Sequence, residues 1–137
     1  MSVVKELLRN EADGSLSFGN HVLTEKAKLE DFEHGGGLFK VKTFKDMTKL
    51  ERDGEFVYES VPGTSVNSMI YTDDGIRFLV EGSEDAQITV GLDEDTEYEV
   101  FVDDKSAGKM KTNLGGKLSV SVELAGAGEV KVEIRKA

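Results

Sequence analysis

Glu97-Tyr-Glu-Val-Phe-Val-Asp103, Lys117-Leu-Ser-Val-Ser-Val-Glu-Leu124 and Val130-Lys-Val-Glu-Ile-Arg135 decide the fold class. Tyr98, Val100 and Val102, then Leu118, Val120, Val122 and Leu124, then Val130, Val132 and Ile134 fall on every second residue. That spacing lines one face of a strand. The residues between them, among them Glu97, Glu99, Ser119, Ser121, Lys131 and Glu133, are polar. Three strands that are wet on one face and apolar on the other need a second layer to cover the apolar side, so the chain reads as all-β.

Working back from this stretch, strand signals recur over 66–72, 76–81, 86–92, 97–103, 108–112, 117–124 and 130–135. Seven short strands with evenly spaced turns predict an antiparallel sandwich. The only proline, Pro62, precedes Gly63. Proline donates no amide hydrogen and restricts the residue before it, so Val61 to Thr64 reads as a crossing rather than a central strand. The expected organisation is therefore a hairpin-rich N-terminal region over 1–62 and a β-sandwich over 63–137.

The N-terminal region offers two readings at its start. Val3, Val4, Leu7 and Leu8 have helical spacing, with Ser2 as a candidate N-cap, while Asp13-Gly14 is a hairpin signal leading into Leu16 and Phe18. Asp-Gly recurs at Asp53-Gly54 and Asp74-Gly75, each before an apolar run, and this recurrence favours the hairpin. Residues 20–37 are polar and weakly patterned and read as a loop or short irregular helix. Leu38 to Phe44 alternates, with Phe39, Val41 and Thr43 on one side and Leu38, Lys40 and Lys42 on the other. Pairing Met47–Arg52 with Glu55–Ser60 across Asp53-Gly54 would set Leu50 opposite Val57 and Lys49 opposite Tyr58. Neither face of that ribbon is cleanly apolar, which marks an edge, a lid or a surface that meets another copy of the protein.

Composition narrows the function classes. There is no cysteine, so disulfide scaffolds and thiolate metal sites are excluded. Residues 1–10 hold only the short apolar pairs Val3-Val4 and Leu7-Leu8, which is no signal-peptide core, and a cytoplasmic location is the default expectation. Of the net charge of -10, the window from Asp73 to Asp104 carries -11, with 12 acidic residues against Arg77, and the rest of the chain +1. So acidic a region repels phosphate backbones, and neither nucleic acid nor anionic membrane is an expected partner.

Several residue groups could carry chemistry. If turns alternate between the two ends of the sandwich, Asp73, Asp74, Asp93, Glu94 and Asp95 share one end and Glu84, Asp85, Asp103 and Asp104 the other. Clustered carboxylates can supply the roughly six to eight oxygens that calcium takes. Asp73, Asp74, Asp93 and Asp95 are accordingly candidate calcium ligands, although EF-hand spacing is missing and acidic turns also serve as solvated edge guards. Phe39, Lys40, Lys42, Phe44, Phe56 and Tyr58 are candidate partner-binding residues, offering rings for stacking and lysines for hydrogen bonds, against the alternative of core and edge packing. His34-Gly35-Gly36-Gly37 matches a lipase oxyanion-hole string but lacks the nucleophile elbow it works beside, and reads as a turn. His21 and His34, 13 positions apart with no cysteine, fit no zinc spacing. Gly126-Ala127-Gly128 opens onto a strand and lacks the phosphate-loop lysine.

Two resemblances add to this reading. The rhythm of Tyr98 to Gly108, Met110 to Leu118, Ser119 to Leu124 and Val130 to Ile134 is similar to immunoglobulin-like sandwich modules of bacterial polysaccharide-active and cell-surface proteins. It implies an immunoglobulin-like sandwich over the last half of the chain, with Asp103-Asp104 in a hairpin loop and Thr112-Asn113 with Gly115-Gly116 in the next turn. The whole chain also resembles a family of short bacterial proteins, some labelled endosialidase, through Val4-Lys-Glu-Leu-Leu-Arg9, Phe56-Val-Tyr-Glu-Ser-Val-Pro-Gly-Thr64 and Lys111-Thr-Asn-Leu-Gly-Gly-Lys117. That label implies action on a polysaccharide, whereas an arginine triad and tryptophan-bearing aspartate boxes on a large propeller would be needed, and the chain has four arginines and no tryptophan. Two functions are therefore carried forward. The first is a non-catalytic module that binds a protein or carbohydrate, with self-association into a homo-oligomer as one form of it. The alternative is a small polysaccharide-active enzyme or its accessory domain.

Overall fold

The computed structural model describes residues 3–137. Its elements are β1 (Leu8–Asn10), β2 (Leu16–Phe18), β3 (Ala27–His34), β4 (Gly37–Phe44), β5 (Met47–Arg52), β6 (Glu55–Val61), β7 (Ser65–Thr72), β8 (Gly75–Glu81), β9 (Ala86–Gly91), β10 (Glu97–Val102), β11 (Lys105–Lys111), β12 (Lys117–Val122) and β13 (Val130–Lys136). They form two antiparallel sheets, one ordered β1-β2-β7-β8-β13-β10-β11 and the other β12-β9-β6-β5-β4-β3. No helix occurs among the described residues. The all-β, two-layer expectation holds.

The stretch that decides the class divides between the layers, with β10 and β13 neighbours in the seven-stranded sheet and β12 at the edge of the other. Its alternate apolar residues are buried, from Tyr98 and Val100 to Val132 and Ile134, with Val102 packed at the core margin. Pairing is nested: β8 with β13, β9 with β12 and β10 with β11. A ribbon of two antiparallel strands thus passes from sheet to sheet. Pro62 stands at a crossing, with β6 ending in one sheet and β7 beginning in the other. Strands from either side of it pair in both layers, β2 with β7 and β6 with β9, and one apolar cluster joins Phe18, Val41 and Leu50 to Phe78, Ile88 and Val132.

At the start of the chain the hairpin forms. Leu8 pairs with Phe18, and Glu11 N to Ser15 O, at 2.9 Å, closes the turn around Asp13-Gly14. Of the helical alternative, the cap at Ser2 lies outside the described residues. Residues 20–37 differ from the loop or irregular helix expected there, because β3 occupies 27–34 and pairs along β4. The alternation that would have revealed it is broken by a bulge between Leu29 and Phe32, where Asp31 takes φ 60° and shifts the apolar set by one position. A second bulge moves β6 against β5. Leu50 faces Tyr58 and Lys49 faces Glu59, rather than the expected Val57 and Tyr58.

Tyr58 stands at the centre of the core, its ring edge-on to Phe18 at 5.2 Å and to Phe78 at 5.6 Å. Such T-shaped pairs favour the ring quadrupoles. Its hydroxyl enters a buried polar chain beside the crossing: Thr64 Oγ1 lies 2.7 Å from Tyr58 Oη and 2.8 Å from Ser60 Oγ. Thr48 Oγ1 donates to the Thr64 carbonyl at 2.7 Å and meets Thr43 Oγ1 at 2.8 Å. Beyond it the His21 amide and Nδ1 both reach Ser65 Oγ. Every buried side-chain polar atom among the described residues has a hydrogen-bond partner.

Candidate functional site

Pleating separates the six residues expected to bind a partner. Phe39 and Tyr58 point into the core. Lys40, Lys42 and Phe44 lie on the outer side of the six-stranded sheet because Phe39, Val41 and Thr43 take the inner positions of β4, and Phe56 joins them by pairing with Glu51, next to the inner Leu50 of β5. Both outer rings carry a lysine cation, with Lys26 Nζ 5.8 Å from the Phe44 centroid and Lys117 Nζ 4.5 Å from that of Phe56.

Register brings more onto this face than the sequence pattern shows. Lys28 is directly opposite Lys42, and Lys42 directly opposite Lys49. The row continues through Glu59, Thr89 and Ser119, the last two joined by a 2.7 Å hydrogen bond. Three lysines on adjacent strands, about 4.8 Å apart from strand to strand, repel one another. None of the three has an ion pair among the described residues, whereas neighbouring Lys40 reaches Glu30 at 3.9 Å. Like charges directly opposite cost stability, and a chain with net charge -10 concentrates them here.

A second feature is a cleft of about 260 Å³ at one mouth of the sandwich, lined by Leu16, His34, Gly35, Phe39, Arg52, Met69, Ile70 and Tyr71 together with Gly14. The turn after β3, which reads as a lipase-like string in the sequence, supplies His34 and Gly35 as one wall. Burial and the Arg52 charge both push the His34 imidazole below its ordinary pKa. The Tyr71 ring is 46% exposed while its hydroxyl donates to the Gly91 carbonyl at 2.9 Å, and burial of that hydroxyl raises its pKa.

The acidic turns lie as the alternation of turns expects. Lys136 ties two of them together at one end, its amide donating to the Asp74 carbonyl at 2.7 Å and its ammonium reaching Asp93 at 2.9 Å. Asp95 pairs with Lys111 at 3.1 Å. Asp73 and Asp74 sit in the exposed β7–β8 turn. At the other end Asp85 accepts from the Leu124 and Ala125 amides, and Asp103 from the Lys131 amide. Among the described residues no three histidine, aspartate or glutamate side chains converge to hold a metal ion. His21, buried against Ser65, and His34, in the cleft, do not meet each other in any such group.

Lys28 and Tyr71 are not among the sequence-based candidates, and Lys49 and Arg52 enter there only as members of the Met47–Arg52 ribbon. Lys28 lies on the strand hidden by its bulge, and Arg52 and Tyr71 belong to different sheets that only the fold brings together. Compared with known proteins, the chain matches no family model, no curated protein and no solved structure.

Proposed function

We propose that this protein is a non-catalytic binding module that meets an anionic partner with the outer face of its six-stranded sheet. The observation that carries this reading is the row Lys28–Lys42–Lys49, in which Lys42 stands directly opposite both of the others and none of the three has an ion pair among the described residues. An anionic chain laid along the row would neutralise repulsion that the free protein bears, and Phe44 and Phe56 offer apolar contacts on the same face. Such a partner is an acidic glycan or an acidic protein surface. The acidic turns of a second copy supply the same chemistry, which is the form self-association would take. The seven strand signals over 63–137 favour an immunoglobulin-like sandwich as the scaffold of this module.

The test is titration of the labelled protein with polygalacturonate and with poly-glutamate at low salt, following backbone amides. Saturable shifts on β3, β4 and β5 that fade with salt and vanish in Lys42→Glu support the reading. Unchanged amides on those strands with both polymers, and a monomer at all concentrations, overturn it. The polysaccharide-active alternative is read in the same tubes, as shortening of the glycan chain.

A further inference from the structure

The mouth of the sandwich opposite in character to the lysine face is a formed pocket. Its floor is apolar, with Leu16, Phe39 and Met69 buried beneath it, and the exposed ring of Tyr71 forms a flat wall. Three polar side chains around it are each held by a second contact. Arg52 lies across the Cα of Gly37, where any Cβ would run into its Nε, and its guanidinium donates to the Gly35 carbonyl at 3.3 Å. Tyr71 is tethered through its hydroxyl to Gly91. His34 stands edge-on to Phe39 with ring centroids 5.5 Å apart, and its Nδ1 is 2.6 Å from Asn10 Oδ1.

That last contact assigns the tautomer. The Asn10 amide nitrogen already donates to the Glu33 carbonyl, so its oxygen accepts and His34 Nδ1 carries the proton. In the neutral ring, which burial and Arg52 favour, Nε2 is left as an acceptor. Arg52 is a cation whose nearest carboxylate, Asp53, stands off at 4.0 Å while that carboxylate accepts from the Leu38 amide. The Arg52 field reaches both His34 and Tyr71. One guanidinium for a carboxylate, one imidazole acceptor for a hydroxyl and one flat ring over an apolar floor are thus gathered around a volume near the small end of ligand pockets.

The geometry points to this cleft as a binding site for a single carboxylated sugar unit, a uronate-type ring, with the carboxylate on Arg52, a ring hydroxyl donating to His34 Nε2 and the ring face against Tyr71. The site is separate from the lysine row and does not depend on it. Polymer binding at the sheet face can fail while the cleft holds its ligand, and the reverse.

The experiment uses the full chain with D-glucuronate, D-galacturonate, D-glucose and acetate as probes, followed by amide shifts at Gly35, Gly36 and Tyr71. Expected are saturable shifts with at least one uronate, at least tenfold weaker binding of glucose and of acetate, and at least a tenfold loss in Arg52→Gln. Gly37→Ala, which displaces Arg52 without removing its charge, is expected to weaken the uronate while leaving the shifts of β8 and β13 native. No saturable shift with either uronate overturns the assignment. So does uronate binding that Arg52→Gln leaves intact in a variant whose spectrum shows it folded.

Discussion

The Tyr58 hydroxyl lies 2.7 Å from Thr64 Oγ1 in the middle of the protein, and this bond fastens the core ring of one sheet to the segment that crosses to the other. Tyr58 is fully buried, and desolvation pushes its pKa up, so the phenol stays neutral. Tyr58→Phe removes one partner from a satisfied buried chain and is expected to cost about 1–2 kcal/mol. Tyr58→Ala also empties the space between Phe18 and Phe78 and should cost about 3–5 kcal/mol. Urea unfolding of both variants checks the order, and equal losses would show that the hydroxyl contributes nothing separable from the ring.

Gly63 lies within the crossing, its amide donating to the Lys45 carbonyl at 3.0 Å. A Cβ there would overlap the Phe44 carbonyl, and both partners are backbone, so neither yields cheaply. Gly63→Ala is therefore expected to destabilise by more than about 2 kcal/mol, while the exposed substitution Lys109→Ala stays within about 0.5 kcal/mol. Parallel thermal melts compare them. A Gly63→Ala protein melting with the parent would mean that the crossing shifts freely.

Much of the architecture is legible in residue alternation, and the exceptions share one cause. Tyr98–Val102, Leu118–Val122 and Val130–Ile134 alternate and their strands fall as expected, whereas β11 begins at Lys105 rather than Gly108 across a bulge at Val100, and Asp53-Gly54 makes its hairpin with both residues at positive φ. β3 was hidden by the residue inserted at Asp31, and the register of β6 by a bulge next to Leu50. A bulge reverses which side chains face the core, so period-two reasoning fails one residue past it. The lysine row suffers from the same break, because Lys28 can be aligned with Lys42 only after β3 is placed. The cleft was illegible for a different reason: Arg52 and Tyr71 meet across layers, and no local spacing encodes that.

His21 makes a prediction for pH. Its ring is buried against Ser65, and desolvation lowers its pKa below the ordinary 6.5, with the Glu81 charge opposing. The unfolded chain then binds more protons than the folded one between its own pKa of about 6.5 and the lower folded value, so stability is fully present above about pH 6.5 and is lost as pH falls from there through the folded value. The half-exposed His34 shifts in the same direction and adds to the slope. Unfolding free energy measured from pH 7.5 down to pH 5 should decline, and His21→Gln should flatten the decline. Stability that is level across this window, or a slope that His21→Gln leaves unaltered, would remove His21 as its source.

Lys42 is the middle member of the three-lysine row, opposite Lys28 on one side and Lys49 on the other. Replacing it with glutamate converts two like-charge pairs into two attractive ones, each worth roughly 0.2–1 kcal/mol across strands. Lys42→Glu should therefore raise the unfolding free energy of the free protein by about 0.5–1.5 kcal/mol at low ionic strength. The gain should shrink at 1 M salt, where the Debye length falls to about 3 Å. The same change should abolish binding of anionic polymers at that face. A surface kept for solubility alone would gain stability with no other consequence, whereas a binding surface loses its ligand as it gains stability, so measuring both quantities on one variant separates the two roles.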